Sequence, residues 1–164
     1  MLYLIVGASG TGKDYIVDKL CKELKMQKVI SRTERPRRKS EVGTHLFVDS
    51  DTADKEFDKA IAKTVYRGNR YYTLQEDLEG KDFYIIDVAG VYSMRKKGML
   101  FTTIFINSKW YIRFWHMLKR GDKVKDIIKR LRYDKKEFAN FQGDVNLKSS
   151  DELYDYIKER KICN

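Results

Sequence analysis

At 164 residues the chain is long enough for one domain with a real core and rather short for two, and 42% hydrophobic with 35% charged residues is the balance of a soluble folded protein. One proline, ten glycines and no internal repeat exclude collagen-like, low-complexity and solenoid classes, and the apolar run Leu2 to Val6 is too short for a signal peptide or a membrane span. The net charge of +10 points to an anionic partner, while Cys21 and Cys163, which have neither metal nor disulfide-framework spacing, fit reduced thiols in a cytoplasmic protein.

The first predicted element is "LYLIV", a short run of β-formers and so a buried strand. A glycine-rich turn leads into "KDYIVDKLCKEL", where Ile16, Val17, Leu20 and Leu24 share one helical face. "KVI" reads as a second strand, followed by a basic loop punctuated by Pro36 and Gly43. Residues 52 to 63 read as a polar helix with a thin stripe of Phe57 and Ile61. "DFYIIDV" and "FTTIFI" are buried strands with a short helix, "GVYSMRKK", between them. "SKWYIRFWHMLKR" reads as a helix capped by Ser108 and ending at Gly121, and "VKDIIKRLRYDKKEF" as the next helix. After the strand "DVNL", Ser149 and Glu152 form the pattern of a capping box that opens the last helix. Strands alternating with helices predict an α/β fold, a parallel sheet with helices on both faces.

The positive charge is concentrated. "SRTERPRRK", residues 31 to 39, has five basic residues and one acidic residue, and residues 113 to 132 have eight basic and two acidic. These two segments account for the whole net charge, as two places to grip anions. A solvated lysine-rich helix face is the plainer reading of the second.

Residues 7 to 14, "GASGTGKD", match seven of the eight positions of the phosphate-loop template G-x-x-x-x-G-K-[ST]. Glycines let backbone N–H groups close on phosphate oxygens, and the following helix adds the positive end of its dipole. Gly7, Ala8, Ser9, Gly10, Thr11, Gly12, Lys13 and Asp14 are therefore the expected ATP site, with Lys13 reaching the β- and γ-phosphates. Asp14 stands where the template has a hydroxyl. A bare carboxylate about 4 Å from a phosphate charge costs roughly 4 kcal/mol at an effective dielectric of about 20, and an intervening magnesium ion reverses the sign. Asp14 is thus expected to hold Mg²⁺, or else to complement the helix N-terminus.

The stretch "SRTERPRRKSE" resembles guanylate kinase, with Ser31, Arg35, Arg38 and Glu41 in register. "IIDVAGV" is similar to that family's "D-I-D-V-Q-G", with Asp87 in register and Ala89 in place of glutamine, and "KRGDKVKDIIKRL" resembles its lid. The resemblance implies a P-loop NTPase-type sheet (core 1–30, 82–112 and 140–164), an acceptor-binding region at 31–75 and a helical lid at 113–139. It implies ATP-dependent phosphoryl transfer to a nucleoside monophosphate, GMP or dGMP, with Mg²⁺. Ser31, Arg35, Arg38, His45, Tyr71 and Asp87 are then the acceptor site, Asp14 and Asp87 the metal contacts, and Lys13, Arg120 and Arg130 the catalytic cations. Arg113 and His116 could assist from the same helical face as Arg120, or could be surface residues.

The family pattern is broken at three points. His45 replaces a phosphate-binding tyrosine, Ala62 falls where a guanine-reading glutamate belongs, and the turn "GNRYYT" fits with either Tyr71 or Tyr72. G-K-D and a histidine near the tyrosine position are also similar to ribose-bisphosphate phosphokinases, so a phosphorylated-sugar kinase is the alternative, followed by a silent nucleotide-binding protein. A nucleic-acid-binding module is a further rival, favoured by the pI of 9.5, but nucleic acid is not the expected partner. Small-molecule nucleotides are, with no membrane and a monomer or homodimer.

Overall fold

The computed structural model describes residues 1–37, 43, 45–66 and 68–162. Its main sheet has four parallel strands in the order β6-β1-β7-β8: β1 (Tyr3–Gly7), β6 (Phe83–Ile85), β7 (Thr102–Ile106) and β8 (Val145–Leu147). Side chains alternate along a strand, so β1 sends Tyr3 and Ile5 to one face and Leu4 and Val6 to the other. The first face packs on Ile16, Val17 and Leu20 of α1 (Lys13–Leu24) and on Leu153 and Ile157 of α6 (Ser150–Ile162). The second packs on Val91 and Met94 of α3 (Val88–Lys96) and on Phe138 and Phe141. This two-sided burial is why the strands read as continuous apolar runs.

A second sheet, in the order β3-β2-β5-β4, is formed by the segment between β1 and β6 of the main sheet. It comprises β2 (Arg32–Thr33), β3 (Leu46–Phe47), β4 (Ala62–Tyr66) and β5 (Asn69–Thr73), with β2 antiparallel to β5 and β4 paired to β5 as a hairpin. None of these strands is predicted as such from the sequence. The helix expected over 52–63 is instead α2 (Ser50–Glu56) and a 3₁₀ turn (Phe57–Lys59), because Asp49 caps the Thr52 N–H at 2.7 Å and Ala62 already belongs to β4. The expected "KVI" strand shrinks to a bridge from Lys28 to Phe83, since the chain must leave the main sheet to begin β2 at Arg32.

Two helices complete the fold, α4 (Trp110–Lys119) and α5 (Val124–Glu137). Ser108 does not cap α4; Lys109 occupies that position without a side-chain bond, and Ser108 is buried. At the last helix Ser149 Oγ accepts from Glu152 N at 3.2 Å, while Glu152 reaches back to Lys148 N at 2.8 Å, one residue earlier than a capping box requires.

Arg32 holds the small sheet together. Its guanidinium donates to Asp77, Glu56 and Glu76 at 2.5–3.2 Å, and Glu56 also accepts from the buried Tyr72 hydroxyl at 2.8 Å. Arg32→Ala leaves Asp77 and Glu56 without their counter-charge. Breaking a buried pair costs about 3–5 kcal/mol, and Glu76 is exposed enough to contribute little, so a loss of about 2 kcal/mol is expected in urea unfolding. Part of the first basic cluster is therefore neutralised inside the fold.

Candidate active site

The phosphate loop leaves β1 at Gly7 and enters α1 at Lys13. Gly10 and Gly12 have φ of +81° and +82°, a backbone that L side chains rarely adopt, so glycine is a conformational requirement at both positions, of which the template fixes Gly12. Thr11 Oγ1 donates to Ala8 O at 3.0 Å and closes the turn. Lys13 Nζ lies 3.5 Å from Ala8 O and 3.9 Å from the Asp14 carboxylate. Burial pushes the Lys13 ammonium below the ordinary lysine range, against the pull of Asp14 and Asp134.

A cleft of about 770 Å³ opens beside the loop. Gly7, Ala8, Ser9 and Lys13 form one wall, β4 and β5 of the small sheet another, and α5 a third. Of the residues expected in an acceptor site, Ser31, His45, Tyr71 and Asp87 line this cleft, and so does Arg130. Ser31 Oγ and His45 Nδ1 are 3.1 Å apart, and the His45 ring meets Tyr71 edge-on at 5.5 Å. Asp87 Oδ1 caps α3 by accepting from Gly90 N at 2.7 Å. Tyr72 is turned into the core of the small sheet, which leaves Tyr71 as the cleft tyrosine with the better exposure. Ala62 also lines the cleft and is 2% exposed, so the position where the resemblance puts a guanine-reading acid carries only a methyl group.

Other expected residues lie elsewhere. Arg35 stands outside the lining, with its guanidinium 5.5 Å over the Phe47 ring. Arg38 and Glu41 lie outside the described residues. Asp14 sits in the first turn of α1 with 76% of its side chain exposed, also outside the lining. Arg120 and Arg130 converge on one carboxylate: Arg120 donates to Asp122 at 2.5 and 3.1 Å, and Arg130 Nη1 donates to it at 3.2 Å. Arg130 Nε is buried and has no hydrogen-bond partner among the described residues.

Sequence reasoning missed one functional neighbour of the loop, Asp134. Its carboxylate accepts from Ser9 N at 3.1 Å and pairs with Arg113, whose Nε donates to Ser9 O at 2.9 Å. His116 Nδ1 donates to Gly10 O at 2.8 Å. Arg113 is thus a buried loop contact, while His116 touches the loop from an exposed position. Burial raises Asp134 above the ordinary carboxylate range and lowers Arg113, each opposed by the other's charge. One signal was available: Asp134 lies two helical turns, or seven positions, after the buried Ile127 on α5, hence on the same face.

The family model described as guanylate kinase matches residues 1–160. A guanylate kinase from Mycoplasmoides gallisepticum is 32% identical over 157 residues, covering 85% of this chain and 79% of that relative. One from Thermotoga maritima is 31% identical over 153 residues, covering 83% and 72%. The crystal structure of guanylate kinase from Anaplasma phagocytophilum superposes with a TM-score of 0.64 at 19% identity, covering 99% of this chain and 85% of that one, and so shares the fold. Match length, identity and fold agree: the chain belongs to the guanylate kinase family.

Proposed function

We propose that this nucleoside-monophosphate kinase transfers the γ-phosphoryl group of ATP to GMP. The observation that carries the reading is one cleft in which Lys13, Ser31, His45, Tyr71, Asp87 and Arg130 face a common space beside a phosphate loop. Relatives named guanylate kinase run along most of the chain, so a phosphorylated-sugar acceptor is not favoured. Among the described residues no helix is long and apolar enough to cross a membrane.

Phosphoryl transfer asks a protein mainly for alignment and for positive charge where the transition state spreads its negative charge. Residues 7–14 hold the ATP phosphates through backbone N–H groups, with Lys13 over the β- and γ-phosphates. Ser31, His45 and Tyr71 are hydrogen-bonding groups for the acceptor monophosphate, and Arg35 and Arg38 bring charge from the adjoining segment. Residues 31–75 serve as the acceptor region and 113–139 as the lid, from which Arg130 reaches the transferring group.

The donor chemistry fits a nucleotide-bound magnesium ion. Asp87, which lines the cleft, and Asp14, at the start of α1, offer hard carboxylate oxygens to an ion that takes the rest of its shell from phosphate and water. When bound, Mg²⁺ neutralises phosphate charge as it develops.

The test is ADP release from ATP with GMP, dGMP, IMP, AMP and ribose bisphosphate offered separately. Turnover with GMP and dGMP is expected. ADP release with ribose bisphosphate alone, or with none of the acceptors, overturns the reading.

A further inference from the structure

Among the described residues, Ser9 is the one phosphate-loop residue whose backbone N–H and C=O are both held by distant side chains. The N–H donates to Asp134 of α5 and the C=O accepts from Arg113 of α4, across 125 and 104 residues of sequence. The two side chains are also paired with each other, and both are buried, at 5% and 8% exposure. The next residue is pinned as well: Gly10 O accepts from His116, and a Cβ on Gly10 would stand 2.7 Å from the Arg113 carbonyl oxygen. The backbone of α4 thus lies directly against the loop, with no room for a side chain between them.

Packing alone does not require this pair. Two buried charges lose much of their hydration, and apolar residues of similar volume often hold helices together as well or better. What apolar residues cannot do is bond the N–H and C=O of Ser9. A phosphate cradle works only while its N–H groups keep a common direction, and here the two successive peptide planes on either side of the Ser9 Cα, Ala8–Ser9 and Ser9–Gly10, are each held by one of these bonds.

We propose that Arg113 and Asp134 are positioning residues, which fix the Ser9–Gly10 segment of the loop in the shape that receives the ATP phosphates. The pair joins α4, α5 and the loop at one point, so the helices that carry Arg120 and Arg130 are registered to the nucleotide site. The acceptor phosphate is placed on Ser31, His45 and Tyr71, which contact one another and, among the described residues, share no hydrogen bond with Arg113 or Asp134, so acceptor binding is expected to be independent of the pair. This inference rests on ATP occupying residues 7–14, as proposed above.

The experiment measures ATP and GMP affinities separately by calorimetry, with thermal melts, for the wild-type chain and three variants. Asp134→Ala is expected to weaken ATP at least about tenfold and GMP less than about twofold. Asp134→Asn keeps an acceptor for Ser9 N–H and is expected to weaken ATP about threefold. The double variant Arg113→Met/Asp134→Leu restores packing without the loop bonds; it should melt at or above the wild-type temperature yet bind ATP at least about tenfold more weakly. Wild-type ATP affinity in the double variant, or parallel weakening of ATP and GMP in Asp134→Ala, overturns the positioning role. If the double variant does not fold, Asp134→Asn decides, and unchanged ATP affinity there overturns it. A wild-type chain that binds no ATP overturns the nucleotide reading itself, a different result from wild-type binding that the variants leave intact.

Discussion

Lys13→Met is expected to lower kcat/KM about 10³-fold while leaving the melting temperature unchanged or slightly raised. An ammonium has three donors, and Ala8 O takes one of them at 3.5 Å, so the others are available to phosphate oxygens. In a site closed off from water, one such charge-assisted contact to a developing anion is worth up to about 4 kcal/mol, which is about a thousandfold in rate. Methionine fills the same channel without the cost of burying a cation. A fall of less than about tenfold would remove Lys13 from the chemistry.

The pH dependence of the wild-type chain carries the same signature, with opposite signs for activity and stability. Burial pulls Lys13 below its ordinary value of 10.5, so the free enzyme loses the ammonium at a lower pH than an exposed lysine does. On the alkaline side kcat/KM, which reports the free enzyme, therefore falls below the ordinary lysine range. Between the depressed native value and 10.5 the unfolded chain binds more protons than the folded one, so this group makes stability rise with pH. Alkaline inactivation should thus precede unfolding.

The nucleotide half of the site was legible in the sequence because it is local. A strand, three glycines within six residues and an amphipathic helix follow one another without a gap, and Gly12, which the template fixes, has the left-handed backbone that only glycine takes readily. The main sheet was legible for a related reason: strands buried on both faces must be apolar throughout. The small sheet was not. Two of its strands are only two residues long, too short for a period, although the alternation in "AKTVY" and "NRYYT" around Gly68 could have marked the β4–β5 hairpin. Charge was legible only as a sum. Arg32 looked like part of an anion grip, yet it is engaged by Glu56, Glu76 and Asp77, which lie 24 to 45 residues further on. Asp134, inside the charged run "RYDKKE", carried no signal of its role at the loop in the sequence, because the bond that gives it meaning joins it to Ser9 near the start of the chain.

Arg130→Met is the complementary expectation: kcat falls about 10³-fold, with KM for ATP and for GMP each within about threefold. An arginine that meets the transferring group only in the transition state contributes to kcat and not to ground-state binding, and such arginines are worth about 10³–10⁵ in rate. Arg130 has the geometry for this. It lines the cleft, its Nε is buried without a hydrogen-bond partner among the described residues, and its Nη1 donates to Asp122. Arg120 differs, because it stands outside the cleft lining and Asp122 takes both its Nε and its Nη2. Arg120→Met is therefore expected to cost about tenfold less in kcat than Arg130→Met. Steady-state kinetics of the two variants side by side separates the roles. Equal losses would mean that α4 and α5 bring both guanidinium groups onto the phosphate, and a loss in KM alone for Arg130→Met would make it a binding residue. Asp122 then has a definite part: it holds two cations a few ångströms apart that would otherwise repel, so they are paired before the nucleotide's charge arrives to replace it.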